Sequence, residues 1–128
     1  MSLDLAEAIH DDLAANTDIL TYLAATNIYW LEAPEGSTAD RIVFKIITDL
    51  PIYDSDDRWQ RWRFYILCID RFDCQALAEI LFNHLHRKNT AFDDFKIDYV
   101  SGIDKSDPEY IADMEAWQVV QDYMIYYH

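Results

Sequence analysis

The chain has 128 residues and a formal net charge of −14, from 24 Asp and Glu against 10 Lys and Arg. Its length suits one domain, and its 52% hydrophobic and 15% aromatic residues exclude a disordered acidic tail. Proteins that bind nucleic-acid phosphates need a basic footprint, so the excess of acids argues against that class. We therefore expect a single domain over residues 1–128.

Cysteine content and the N-terminal sequence indicate where the protein is made. Cys68 and Cys74 are too few for a disulfide framework or a zinc ribbon, and we interpret both as small apolar residues in a reducing compartment. The N-terminus has no basic region of the signal-peptide type, and no uncharged run approaches the ~20 residues that span a bilayer. These features predict synthesis in the cytoplasm.

The first third of the chain predicts two helices and a short strand. Ser2 can cap a helix with apolar residues at helical spacing: Leu5, Ala6, Ile9 and Leu13. His10, Asp11 and Asp12 are expected on the solvent side of this helix. A second, shorter helix begins at Asn16 or Thr17. Residues 28–31 are apolar and aromatic, and Pro34 and Gly36 end that strand in a turn.

The middle of the chain predicts two longer strands joined by an acidic loop. Residues 41–48 alternate as a second strand, and residues 49–57 form a Pro-containing loop that carries Asp54, Asp56 and Asp57. A third strand follows from residue 58 to about residue 70. Its core face carries Trp62, Phe64, Ile66 and Cys68.

The other face of the third strand is the main candidate for function, with Trp59, Arg61, Arg63, Tyr65 and Leu67. Arginine and aromatic residues are enriched at protein interfaces. Two interpretations stay open for Arg61 and Arg63: they contact a protein partner, or they pair with acids on neighbouring strands. Two arginines flanked by acids are a poor footprint for nucleic acid.

The last part of the chain predicts a long helix and two strands. Asp70 can cap a helix with a core-facing stripe of Leu77, Ile80, Leu81, His84 and Leu85, and we expect His84 to be a packed core histidine. Residues 95–100 form a strand, and an exposed acidic loop follows from Gly102. The final strand, residues 117–127, has large side chains on both faces, which makes Trp117, Tyr123 and Tyr127 candidate subunit contacts.

These elements predict an α+β domain. A mainly antiparallel sheet of about five strands is covered by the long helix, with the N-terminal helices beside it.

The residues that could carry chemistry do not form a site. The acidic segment 104–115 has Pro108 and Glu109 where a calcium loop needs an oxygen ligand and a glycine. His84 and His86 are two apart on a helix and cannot share an ion by themselves. With two glycines a phosphate-binding loop is excluded, and no nucleophile motif is present. We therefore predict no catalytic, cofactor or metal site.

The order of these elements, with one turn pattern, resembles a known family. The turn pattern I-Y-x-x-x-A-P-x-G consists of Ile28, Tyr29, Ala33, Pro34 and Gly36. It is followed by the strand RIVFKIITDLP and by a long strand that leads through Asp70 into the helix DCQALAEILFNHL. This order is similar to that of the small tail-completion, or tail-terminator, proteins of long-tailed bacteriophages and prophages. The acidic, aromatic loop 49–59 and the aromatic final strand depart from the family pattern.

The resemblance implies a structural role without catalysis. Such proteins form a ring, typically hexameric, that caps the tail tube and provides the head-tail joining surface in the virion. Its partners would be further copies of the chain, the tail-tube protein and the head-connector protein. Subunit or partner contacts are then expected at Trp59, Arg61, Arg63 and Tyr65, and in the loops with Asp54 to Asp57 and residues 104–115. The alternative from charge alone is an acidic DNA mimic that inhibits a DNA-binding enzyme.

Overall fold

The structure is a computed structural model that describes residues 2–51, 58–86 and 97–127. The helices are α1 (Ser2–Ala14), α2 (Thr17–Leu20) and α3 (Arg71–Leu85), and short 3₁₀ turns lie at Ala25–Asn27 and Ala112–Met114. The strands are β1 (Ile28–Trp30), β2 (Arg41–Pro51), β3 (Arg58–Cys68), β4 (Ile97–Lys105), β5 (Glu109–Ile111) and β6 (Ala116–Tyr127).

The strands form one mixed sheet in the order β1-β2-β3-β6-β4, with β5 also paired to β6. The β1–β2 pair is parallel, and the other four pairs are antiparallel. The α+β prediction with a mainly antiparallel sheet is therefore confirmed. The sheet has six strands rather than about five, because a short strand lies within the segment predicted as a loop.

Side-chain caps explain where two of the helices begin. The Asn16 side chain accepts hydrogen bonds from the first backbone amides of α2. Asp70 is the predicted cap of α3, and its Oδ1 accepts from the amides of Phe72 and Asp73 at 2.7 and 3.2 Å. The predicted start of the long helix is confirmed.

One face of the sheet carries the core, and all three described helices pack on that face. Its centre is aromatic: Phe44 stacks on Phe64 with ring centroids 5.4 Å apart, and Tyr123 meets Phe64 edge-on at 5.4 Å. Trp62 lies fully buried beside them. The core face predicted for the third strand is confirmed, since Trp62, Phe64, Ile66 and Cys68 are all buried.

Two predicted loops are partly strand. Strand β2 continues to Pro51, because Asp49 and the two residues after it pair with the start of β3. The segment from Gly102 onward was predicted as a loop, but β4 runs to Lys105 and β5 pairs with β6. Gly102 lies inside β4, paired with Tyr123 of β6, and the Phe82 ring of α3 packs so close that a Cβ there would meet it at 2.5 Å. This glycine marks a close approach and not the start of a loop.

A polar contact joins the first and last helices. Nε2 of His84 lies 2.6 Å from Oδ2 of Asp12, and both side chains are about a fifth exposed, at 23% and 22%. His84 is therefore only partly buried and hydrogen-bonded, which corrects its prediction as a packed core residue. Asp12 is likewise partly buried rather than on the solvent side of α1.

Candidate protein-interaction face

The sheet face opposite the helices is the candidate site. Strand alternation places Lys45 of β2, Arg63 and Tyr65 of β3, and Asp122 and Tyr126 of β6 on this face. Apart from Asp122, these side chains are half-buried. The α-helices α1, α2 and α3 pack on the opposite face of the sheet. It presents charged and aromatic groups on a rigid sheet.

A carboxylate between two guanidinium groups forms the centre of this face. Arg61 donates from Nε and Nη2 to Oδ2 of Asp122, at 2.9 and 2.5 Å. Arg63 donates from Nε to Oδ1 at 2.7 Å and from Nη2 to Oδ2 at 3.0 Å. Paired hydrogen bonds of this kind fix the plane of a guanidinium group as well as its position. Both arginines are thus held in one orientation.

Burial differs sharply between the carboxylate and its partners. The Asp122 side chain is 2% exposed, whereas those of Arg61 and Arg63 are 36% and 34% exposed. Burial alone would raise the pKa of the Asp122 carboxyl, but the hydrogen bonds from Arg63 and Arg61 hold that pKa below its ordinary value. The hydrogen bond to Asp122 raises the pKa of Arg63. The carboxylate is a fixed internal anchor, and the two cations face outward.

Aromatic and lysine side chains surround the anchored arginines. Nζ of Lys45 lies 5.5 Å from the centre of the Tyr65 ring, within the range of a cation–π contact. The rings of Trp59 and Tyr126 lie 6.4 Å apart on neighbouring strands. We call the group Lys45, Trp59, Arg61, Arg63, Tyr65 and Tyr126 the open-face patch. Three cations around one buried carboxylate make its centre net positive in a chain of charge −14.

The structure brings together one part of the predicted contact set and separates the rest. Trp59, Arg61, Arg63 and Tyr65 share the open face. Tyr123 and Tyr127 are 0% and 4% exposed in the core beneath the helices, so neither is available at the surface of one copy. Burial raises the pKa of Tyr123, whose hydroxyl donates to Gln121.

The other predicted contacts lie elsewhere. Trp117 is half-buried, with its ring 5.5 Å from Tyr110 and 5.8 Å from the Arg71 guanidinium, away from the open-face patch. Asp54, Asp56 and Asp57 lie outside the described residues.

Asp122 is the residue that sequence reasoning missed. It had no predicted role, because the pattern of β6 has large side chains on both faces and does not indicate which face is covered. A signal was present, since a single carboxylate stands among apolar and amide residues in a strand. Its pairing with Arg63 depends on the register between β3 and β6, in which these two residues are direct neighbours. The possibility that Arg61 and Arg63 pair with an acid on an adjacent strand is confirmed.

The predicted acidic segment forms one edge of the sheet. Residues 107–115 comprise β5, a 3₁₀ turn and their flanks, and we call this segment the acidic hairpin. It contains four carboxylates and no cation, and each is exposed: Asp107, Glu109, Asp113 and Glu115. Tyr110 and Met114 are also exposed, at 50% and 48%. The hairpin is therefore acidic and partly apolar.

A groove of about 530 Å³ lies between the acidic hairpin and the turn after β1. Val43, Tyr65 and Leu67 contribute to its apolar lining, and Glu32 and Glu115 are among the acids around it. Leu31 and Glu115 line it with φ of 75° and 52°, which is strained backbone for residues other than glycine. Its acids make the groove unlike the positive centre of the patch.

The described ranges contain neither a cluster of metal ligands nor a helix that could span a membrane. Within residues 2–51, 58–86 and 97–127, no three His, Cys, Asp or Glu side chains come together as metal ligands. Among the same residues, no helix has the length and apolar character needed to span a bilayer.

Comparison with known proteins shows a similarity of fold. No protein-family model and no curated protein sequence matches the chain. A solved structure described as "Virion of native gene transfer agent (GTA) particle" contains a chain of similar fold, with a TM-score of 0.74 and 8% sequence identity. The match covers 94% of this chain and 92% of that one. At this identity the similarity establishes the shared fold.

Proposed function

We propose that this chain is a structural, non-enzymatic virion protein that forms a ring on the end of a tail tube and provides the head-tail joining surface. The fold supports the proposal, because a chain of a gene transfer agent virion shares it over almost its whole length. The element order also resembles tail-completion proteins.

The observation that carries the proposal is the open-face patch. A sheet face with half-buried aromatic side chains and two oriented arginines has the composition of the core of a protein interface. Arg61 and Arg63 are already fixed by Asp122, so a partner that meets them need not bear the entropic cost of ordering two long side chains. Such pre-organisation favours a permanent contact surface.

The mechanism is geometric. A ring needs two different surfaces on each copy, and its two ends can then bind different partners. We propose the tail-tube protein at one end and the head-connector protein at the other, at the tail-head junction of the virion, after synthesis in the host cytoplasm. A hexamer would match the tail-completion proteins. Its acidic surface would repel DNA, so genome could pass without being held.

The test measures particle mass and shape together. The purified chain would be examined by analytical ultracentrifugation and negative-stain microscopy, alone and after mixing with tail tubes from the virus or prophage that encodes it. We expect rings, either free at high concentration or seated on tube ends. The variant Arg61→Ala/Arg63→Ala should lose this assembly, and Glu7→Lys on the exposed side of α1 is the control that should keep it.

Two results would count against the proposal. A chain that joins neither a ring nor a tail at any concentration is not a tail-completion protein. If that chain instead inhibits a DNA-binding enzyme at low salt, the acidic DNA mimic becomes the better explanation.

A further inference from the structure

We infer that the open-face patch of one copy binds the acidic hairpin of the next copy. This inference rests on the proposed ring and specifies the contact that closes it. The two surfaces lie on one chain, one on a sheet face and one on a sheet edge.

The patch offers cations in a fixed arrangement. Lys45 and Arg63 are direct neighbours across β2 and β3, and Asp122 anchors Arg63 from the other side. Asp104 of β4 lies next to Asp122 and ends the positive region at that edge. The cations therefore occupy the centre of the sheet, where a partner segment could cover them.

The hairpin offers the complementary groups. Its carboxylates are exposed, and none is in an ion pair among the described residues. Met114 is exposed beside Glu115 and lines the groove with Tyr65, and methionine is enriched in the cores of protein interfaces. Tyr110 lies on the other side of the hairpin, against Trp117. The carboxylates match a surface of guanidinium groups, because arginine binds carboxylates through paired hydrogen bonds.

A second copy fits the patch better than nucleic acid does. A phosphate backbone would meet three cations here and a net charge of −14 on the whole chain. The acidic hairpin is a compact segment whose charge opposes that of the patch, and it is supplied by every copy. Like charges elsewhere on two copies would repel, so this pairing also selects one relative orientation.

The two surfaces meet the basic requirement for a ring. The patch and the hairpin are different surfaces of one copy, so their contact is heterologous and leaves one of each surface free for the next copy. Repeated heterologous contacts close into a ring when the rotations between successive copies add up to a full turn.

The experiment changes charges on each of the two surfaces. Lys45→Glu reverses one charge of the patch without removing a partner of Asp122, and Asp107→Lys/Glu109→Lys reverses two of the four charges of the hairpin at exposed positions. Glu7→Lys/Glu79→Lys makes the same change of total charge as the hairpin variant, on the exposed sides of α1 and α3, and serves as its control. Association would be measured by sedimentation and native mass spectrometry at low and high salt.

We expect each variant alone to associate at least about tenfold more weakly than wild type, because a mismatched charge then lies in every patch–hairpin contact. The control should associate like wild type. Mixing the two variants should restore pairing, because the unchanged patch of the hairpin variant meets the unchanged hairpin of the Lys45→Glu variant. Carbodiimide should join Lys45 of one isotopically labelled copy to a hairpin carboxylate of an unlabelled copy.

The outcomes separate the contact from the ring. If wild type forms rings and both reversed variants form them equally well, the inferred contact is wrong while the ring stands. If wild type forms open chains, and the charge substitutions weaken them and mixing restores them, the inferred contact is right and the ring is wrong. A wild-type chain that stays monomeric at every concentration and on tail tubes overturns both.

Discussion

The two faces of this sheet are made by the same strands but serve different ends. On the covered face, Trp62 and Phe64 are fully buried by apolar neighbours. On the open face, Arg61, Arg63 and Tyr65 alternate with them and stay partly exposed. A single strand, β3, thus contributes to the core with one set of residues and to a pre-oriented surface with the other.

The difference shows how a buried charge can be used. The covered face also holds polar groups, but they bond within the core: Nε2 of Gln121 donates to the carbonyl of Ala78 at 2.8 Å, and Nε1 of Trp62 donates to Gln60 at 2.9 Å. Asp122 on the open face directs its bonds to side chains that reach solvent. Substitutions on the two faces should therefore affect stability and assembly in different proportions.

Phe64→Ala should have the largest effect on stability. The ring is fully buried between Phe44 and Tyr123, so its removal leaves a cavity and should lower the free energy of unfolding by about 3–5 kcal/mol. A chemical denaturation series measures this change. A loss below about 1 kcal/mol would mean that the covered face is not a tightly packed core.

Asp122→Asn should come next, with a loss of about 1–3 kcal/mol at neutral pH. The amide keeps the volume but not the charge, and it leaves two adjacent guanidinium groups without their shared anion. The loss is moderate because both arginines are about a third exposed and water can solvate them. Chemical denaturation should show a lower free energy of unfolding. Self-association should also weaken, because the arginines lose their fixed orientation.

The stability difference between wild type and Asp122→Asn should depend on pH. The pKa of Asp122 is lowered in the folded state, so its stabilisation is complete above the unfolded value of about 4 and disappears as the pH falls through the folded value. The stability difference between wild type and Asp122→Asn should therefore be constant from pH 7 to 5 and shrink below about pH 4. A constant difference down to pH 2 would contradict the anchored carboxylate.

Local patterns predicted most of the fold. Alternation in β3 identified Trp62 and Phe64 as core, and Asp70 marked the start of α3. The missed elements depend on strand pairing that alternation alone does not reveal. Strand β5 is only three residues long and forms a short hairpin with β6, and β4 continues past Gly102 because it pairs with β6 there. The lack of a side chain at Gly102 is explained by the Phe82 ring of α3, a contact between separate elements.

For the candidate site, too, the sequence predicted which face of a strand a residue lies on but not its partner on another strand. Arg61 and Arg63 were assigned to one strand face, as the structure shows, but Asp122 lies about 60 residues later and is joined to them only by strand register. Tyr123 and Tyr127 were proposed as contacts because both faces of β6 carry large side chains. The helices cover the face that carries these two tyrosines, so both are buried in a single copy.

Gly102→Ala should lower the free energy of unfolding by less than Asp122→Asn does, and it tests the packing of the covered face. The added Cβ would lie 2.5 Å from the Phe82 ring, so the ring must move, and overpacking of this kind should cost about 1–2 kcal/mol. Ser101→Ala is the matched control, one residue away on the opposite face, and should change stability little. Thermal denaturation compares the two; equal effects would show that Phe82 adjusts freely.

Tyr65→Ala should have the smallest effect on stability and a large effect on assembly. Its ring is half-buried beside Lys45, so truncation should change the free energy of unfolding by about 1 kcal/mol or less. Tyrosines at interface centres contribute disproportionately to binding, so self-association should fall by about tenfold or more. The control is Phe72→Ala, which removes a ring that is 72% exposed at the start of α3, away from the open face. If Phe72→Ala weakens association as much as Tyr65→Ala does, the contact lies on the helical side, and the two faces would have to exchange their proposed roles.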